Sequence, residues 1–241
     1  MKPVFLETGN VAAFRRAMAI MEDVRRGQPG LGVVHGRAGL GKTECAREYA
    51  VRTGAIYLRV LEDWTPRAML ASLCRELNDT EPYTIDRCRR MAFDELNRQR
   101  RIILVDEADR LKSVGHVEHL RDIHDETGAP VVLIGEASLY SKLHARDRLW
   151  SRVTQTVGFG PITAEDVTLF ALKSCGLRIE PDAARREIDR FGGDFRPVVV
   201  DMVHLERSAR ASGTKTITLK MVNALPDRRP RPAKPKRRSH A

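Results

Sequence analysis

The chain has 241 residues, 42 Lys and Arg against 32 Asp and Glu, and a formal net charge of +10. That length suits one α/β domain with a small appendage and a sizeable core. No apolar run is long enough to span a bilayer, and the amino terminus reaches Glu7 without an apolar segment, so neither a membrane span nor a signal peptide is expected. The four cysteines, Cys45, Cys74, Cys88 and Cys175, lack CxxC spacing and argue for free thiols in a reducing cytoplasm, against disulfides or zinc.

Taken in chain order, Val11, Phe14, Met18, Ile20 and Met21 recur at helical spacing from Asn10 to Arg26, and Gly27-Gln28-Pro29-Gly30 stops that helix. The apolar run Leu31–Val34 then reads as a buried strand, and it runs into Gly36-Arg37-Ala38-Gly39-Leu40-Gly41-Lys42-Thr43. Glycines at this spacing let backbone N–H groups turn inward around phosphate oxygens, and the helix that follows, Glu44 to Ala50, adds partial positive charge at its N-terminus. Lys42 would reach the β- and γ-phosphates of a nucleotide, and the Thr43 hydroxyl would bind Mg²⁺. The stretch Gly36–Thr43 together with Glu44 is the expected nucleotide-binding segment.

A second strand is expected over Ala55–Val60. Helices follow from Thr65-Pro66, with the stripe Met69, Leu70, Leu73 and Leu77, and from about Thr84 to Arg98, with Ile85, Cys88, Met91, Ala92 and Leu96. Ile102–Val105 is a continuous apolar run ending in Asp106-Glu107-Ala108-Asp109, as in a parallel strand delivering acids to a site. Asp106 would hold Mg²⁺ through water and Glu107 would orient the attacking water. Helical periodicity continues through Leu111, Val117, Leu120 and Ile123 to Gly128-Ala129-Pro130. A strand Val131–Ile134, a helix with Leu139, Leu143 and Leu149, and a last strand through Val153, Val157 and Phe159 complete five strands. Strands alternating with helices predict an α/β fold with a parallel sheet and right-handed crossovers.

From Ile162 the pattern turns helical. Thr163-Ala164-Glu165-Asp166 has capping chemistry, and helical segments are expected at about 164–175, 181–191 and 196–211. The reading divides the chain into a nucleotide-binding core over 1–161, a helical domain over 162–225 and a tail over 226–241. That tail carries Arg228, Arg229, Arg231, Lys234, Lys236, Arg237 and Arg238 against Asp227, interleaved with prolines. Such a segment is expected to stay out of any core and to contact a polyanion, most simply the nucleic-acid backbone.

These residues resemble the AAA+ ATPases. Gly36–Thr43 looks like Walker A, Ile102–Glu107 like Walker B, and 162–225 like the helical lid. The resemblance implies a P-loop AAA+ core with ATP and Mg²⁺ as cofactors. It gives Ser151-Arg152 the arginine-finger position, with Arg146 and Arg148 close by in sequence, so that Arg152 would reach nucleotide held by a neighbouring subunit. Gly193-Asp194-Phe195-Arg196-Pro197 resembles the sensor-2 segment, where Arg196 would read the γ-phosphate from the lid. Glu136 stands at the sensor-1 position, where an acid repels phosphate unless it is paired. Within the family, the compact core, Ile134-Gly135-Glu136-Ala137 and the single lid with a basic end look most like the transposition ATPases of the phage Mu B, TniB and TnsC group.

The function this implies is an ATPase switch that oligomerises as a ring or helical filament on duplex DNA and delivers that DNA to a transposase. Body cations Arg67, Arg110 and Lys112 join the tail as candidate phosphate contacts. A replication initiator or helicase loader is the same-family alternative. The letters Asp106-Glu107-Ala108-Asp109 also spell a helicase motif, but such helicases need two lobes, which this length does not hold. A small-molecule kinase would share the P-loop without needing Glu107, a lid arginine or a basic tail.

Overall fold

Strand β1 (Leu31–His35) lies inside a five-stranded sheet, between β4 (Val131–Gly135) and β5 (Val153–Gly158), with β3 (Ile103–Asp106) and β2 (Ile56–Arg59) beyond β4. Every neighbouring pair is parallel, giving the order β2-β3-β4-β1-β5. This is the expected P-loop sheet, and its apolar runs follow from burial on both faces. The structure is a computed structural model that describes residues 1–112 and 114–226, with the side chain of Val114 excepted. The basic residues Arg228, Arg229, Arg231, Lys234, Lys236, Arg237 and Arg238 lie outside the described residues.

Alternation along the strands sorts the core into two layers. Val34, Leu104, Val132 and Ile134 meet Phe14, Met18 and Met21 of α1 (Gly9–Glu22) and Ala46 and Tyr49 of α2 (Lys42–Thr53). Val33, Leu58, Ile103, Val105 and Leu133 meet the opposite layer, formed by α3 (Pro66–Asn78), α4 (Ile85–Arg98), α5 (Val114–Thr127), α6 (Ala137–His144) and α7 (Asp147–Trp150). Threonine side chains cap three of these helices: Thr8 accepts from Val11 N–H, Thr65 from Ala68 N–H and Thr84 from Arg87 N–H. Helix α1 stops at Glu22, short of the Arg26 expected from periodicity. The Arg100 guanidinium donates to the carbonyls of Glu22 and Val24 and so takes over helix-end acceptors.

The chain divides into two units, Phe5–Pro161 and a second built from residue 162 onward together with Met1–Val4. Met1–Val4 thus group with the second unit, whereas the sequence reading began the core at residue 1. Lys2 N–H donates to Ser174 O (2.8 Å) and the Ser174 hydroxyl donates to Lys2 O (3.0 Å), pairings 172 residues apart that no local pattern reveals. Ser174 lies in a π-helical turn over Ala171–Cys175 that continues α8 (Ala164–Phe170). Helix α8 begins with a full capping box between Thr163 and Asp166, and α9 (Pro181–Phe191) and α10 (Phe195–Ala211) follow. The sequence reading assigned no element between residue 211 and the tail. Instead β6 (Arg178–Ile179) pairs in parallel with β7 (Thr216–Ile217), and α11 (Leu219–Asn223) starts at the Thr218 cap. Two-residue strands carry too short a pattern to announce themselves.

Candidate functional site

The C-terminal ends of β1, β3 and β4 converge, and each delivers a different chemistry. Beyond His35 the loop Gly36–Gly41 turns into α2. Gly36 is held against β5, where a Cβ would meet Phe159 O at 2.7 Å, so a side chain there would force the loop off the sheet. Leu40 is buried in the core and anchors the loop from below, while Arg37 and Ala38 face solvent. The N-cap of α2 is Gly41, in the left-handed region with no side-chain cap, which leaves the first-turn amides to an external anion. Thr43 is half-buried on that first turn, and Glu44 is exposed and pairs with Arg47 (3.8 Å).

Lys42 Nζ donates to Gly36 O and Arg37 O, both at 2.8 Å, so two of its three protons are held by the loop itself and one remains. Burial pulls its pKa below the ordinary value. The opposing carboxylates are, in descending influence, Glu136, Asp106, Asp109 and Glu107. The order reflects the sheet, in which β4 lies between β1 and β3 and carries Glu136 at its end. Glu136 therefore has a cation for company, and its own N–H donates to Asp109 Oδ1 (2.9 Å).

Asp106 is 2% exposed, and both of its carboxylate oxygens are held. Oδ2 accepts from the Tyr57 hydroxyl (2.7 Å) and Oδ1 from the Glu107 N–H (2.9 Å). Tyr57 is pushed up to about 12, by burial first and then by its bond to Asp106. Glu107 follows in the left-handed region (φ 58°), an uncommon place for a residue with a side chain and worth roughly 1–2 kcal/mol of strain. Its carboxylate faces Arg110 (3.3 Å) and Arg59 (3.7 Å). Arg110, a candidate DNA contact on sequence grounds, is thus an ion-pair partner of Glu107. Of the other two body cations, Lys112 pairs with Asp63 (3.1 Å), and Arg67 donates to Tyr83 O (2.6 Å) with its guanidinium 5.0 Å from the Tyr83 ring.

Arg152 stands at the other end of the sheet. Its carbonyl accepts from Leu31 N–H, at the start of β1, and its guanidinium reaches Asp125 (3.2 Å). The five residues of β1 separate it from the phosphate loop, roughly 16 Å along the strand. That exceeds the reach of an arginine side chain. Arg146 and Arg148 are exposed on the same end of α6–α7. Arg196 belongs to the second unit, exposed on the first turn of α10, where its N–H donates to Asp194 Oδ1 (2.9 Å). Sequence reasoning missed Tyr57, Arg59 and Arg47. For Tyr57 and Arg59 the available signal was the polar character of every second residue of their strand; Arg47, on α2, had none.

The donor set suits a magnesium nucleotide: backbone amides and one ammonium for phosphates, and a hydroxyl plus a buried carboxylate, hard oxygen ligands, for the cation. Residues 25–143 match the model of the AAA domain. The chain is 26% identical over 208 residues to the Mu-like prophage FluMu DNA transposition protein B of Haemophilus influenzae, covering 80% of this chain and 70% of that protein. Its fold is similar to that of Cdc6p from Pyrobaculum aerophilum (TM-score 0.62, 16% identity, 90% of this chain and 66% of that one). It is likewise similar to the ORC2 protein of Aeropyrum pernix (0.65, 14%, 92% and 68%) and to the RuvB branch migration motor of Thermotoga maritima (0.60, 17%, 92% and 70%). The chain spans about two thirds of the length of these solved structures. The chain is thus similar over residues 25–143 to the AAA domain, over most of its length to Mu-like DNA transposition protein B, and in its fold to P-loop AAA+ structures.

Proposed function

We propose that this protein is an ATP-hydrolysing switch that assembles copies of itself on duplex DNA and presents that DNA to a transposase. The observation that carries the reading is the separation of two half-sites on one sheet. Lys42, Asp106 and Glu107 gather at the C-terminal strand ends, whereas Arg152 sits a full strand length away, where it can serve only a neighbour's nucleotide. A nucleotide bound at such a shared site interacts differently with the assembled and free states, and that difference is what shifts an equilibrium.

In this reading the loop amides and Lys42 hold the phosphates, and Thr43 and Asp106 hold Mg²⁺, which when bound neutralises charge on the β- and γ-oxygens. Glu107 orients water only once it leaves Arg59 and Arg110, so its present ion pairs fit a resting arrangement. DNA contacts would go to phosphates and be largely sequence-independent, from Arg67, Lys112 and the basic tail. The relationship to transposition protein B supports transposition over replication loading as the setting.

The test is duplex-DNA binding with ATP, ADP and no nucleotide, imaged by electron microscopy. Rings or filaments that appear on duplex only with ATP are expected. Tight nucleotide binding without assembly on duplex would overturn the reading in favour of a loader.

A further inference from the structure

Asp106 could in principle choose among several rotamers at the end of β3, and the protein removes that choice. In the register of β2 on β3, Tyr57 faces Leu104 and Arg59 faces Asp106, so all four side chains project from the same side of the sheet. The Tyr57 ring lies among the residues packed beneath α2, and its hydroxyl reaches forward two residues to Asp106 Oδ2 (2.7 Å). From α2 the Arg47 guanidinium covers the ring, 5.6 Å from its centroid. Asp106 is held from its other side by the Glu107 N–H. A phenylalanine would fill the same space with the same packing, so the hydroxyl is explained by what it bonds.

We propose that Tyr57 is a positioning residue for the magnesium site: its hydroxyl fixes the Asp106 carboxylate so that the remaining lone pairs face the phosphate loop. This rests on the nucleotide-binding reading above and goes beyond it, assigning a role to a residue on a strand that carries no part of either nucleotide motif. The physical basis is general. A carboxylate that holds a cation directly or through water binds it better when an outer partner orients it, and loss of such a partner typically costs 10–100-fold in metal affinity. Mg²⁺ makes strict geometric demands, so freeing the carboxylate to rotate is costly.

The experiment measures binding of a fluorescent ATP analogue to the full chain while free Mg²⁺ is varied. Tyr57→Phe is expected to raise the Mg²⁺ midpoint about tenfold or more, with the metal-free affinity for the analogue unchanged. A purely structural role would instead lower the metal-free affinity and leave the midpoint alone. Asp106→Asn is expected to raise the midpoint too, and adding Tyr57→Phe to it is expected to raise it no further, because both substitutions remove one interaction. A Tyr57→Phe midpoint equal to wild type, or an equal additional shift in the Asp106→Asn background, would overturn the proposal. A wild-type chain whose analogue binding ignores Mg²⁺ altogether would overturn the nucleotide reading beneath it.

Discussion

Replacing Glu187 by Gln should change how the second unit responds to pH. Glu187 on α9 and Asp201 on α10 are both fully buried, and Arg190, 8% exposed, stands between them. Arg190 favours Asp201, with Nη2 at 3.1 Å from Oδ2, and approaches Glu187 only to 3.9 Å; neither Glu187 oxygen has a hydrogen-bond partner. The attraction of Arg190 and Arg186 does not offset the desolvation of Glu187 beside Asp201. Burial first, and the Asp201 charge second, push Glu187 up from 4.5 to about 7. At about 1.4 kcal/mol per tenfold change this gap sets an upper bound of about 3 kcal/mol. The sign follows from proton counting. Between about pH 4.5 and 7 the folded unit holds a proton that the unfolded chain has released, so stability is full below that window and falls as pH rises through it. Glu187→Gln has no such proton to lose. Hydrogen exchange of α9 and α10 in the full chain, corrected for intrinsic rates, should show wild-type protection falling by up to two orders of magnitude across the window. The variant should stay level there and be the better protected above pH 7. Wild-type and variant profiles that run parallel would refute the reasoning.

Lys42→Ala should abolish nucleotide binding, measured by titration with a fluorescent analogue; wild-type affinity would remove Lys42 from the phosphate site. Arg152→Ala subunits should bind nucleotide normally but fail to hydrolyse it, and mixing them with Lys42→Ala subunits should restore turnover, because each supplies the half-site the other lacks. Full turnover by Arg152→Ala alone would show that another group, with Arg146 and Arg148 the nearest in sequence, plays that part. Gly30→Ala should lower the melting temperature of the chain. The added Cβ would fall 2.1 Å from His124 Cε1, on a ring that is 1% exposed and pinned to Ala129 O (2.9 Å) and Gln28 O (2.7 Å). Overpacking of this kind costs about 1–3 kcal/mol, or several degrees for a chain of this size. An unchanged melting temperature would show that the ring can move aside.

Much of the molecule is local in origin and could be read from the sequence. Strands β1, β3 and β4 are short, largely apolar runs bounded by glycine, proline or acids. The P-loop declares itself because only glycines at fixed intervals allow backbone to wrap an anion. Thr65-Pro66 and Thr163–Asp166 write their helix starts in single side chains, and the structure places a cap at each. What the sequence could not decide depends on which strands lie side by side. The order β2-β3-β4-β1-β5 sets Glu136 between the phosphate loop and the acids, and it brings Tyr57 and Arg59 of β2 onto Asp106 and Glu107 of β3. The pairing of Met1–Val4 with the second unit, and the stranding of Glu187 and Asp201 around one arginine, arise the same way. A strand's own residues fix its alternation and its ends, since these are properties of one backbone. Which neighbour receives each projecting side chain is fixed only when the whole chain is folded.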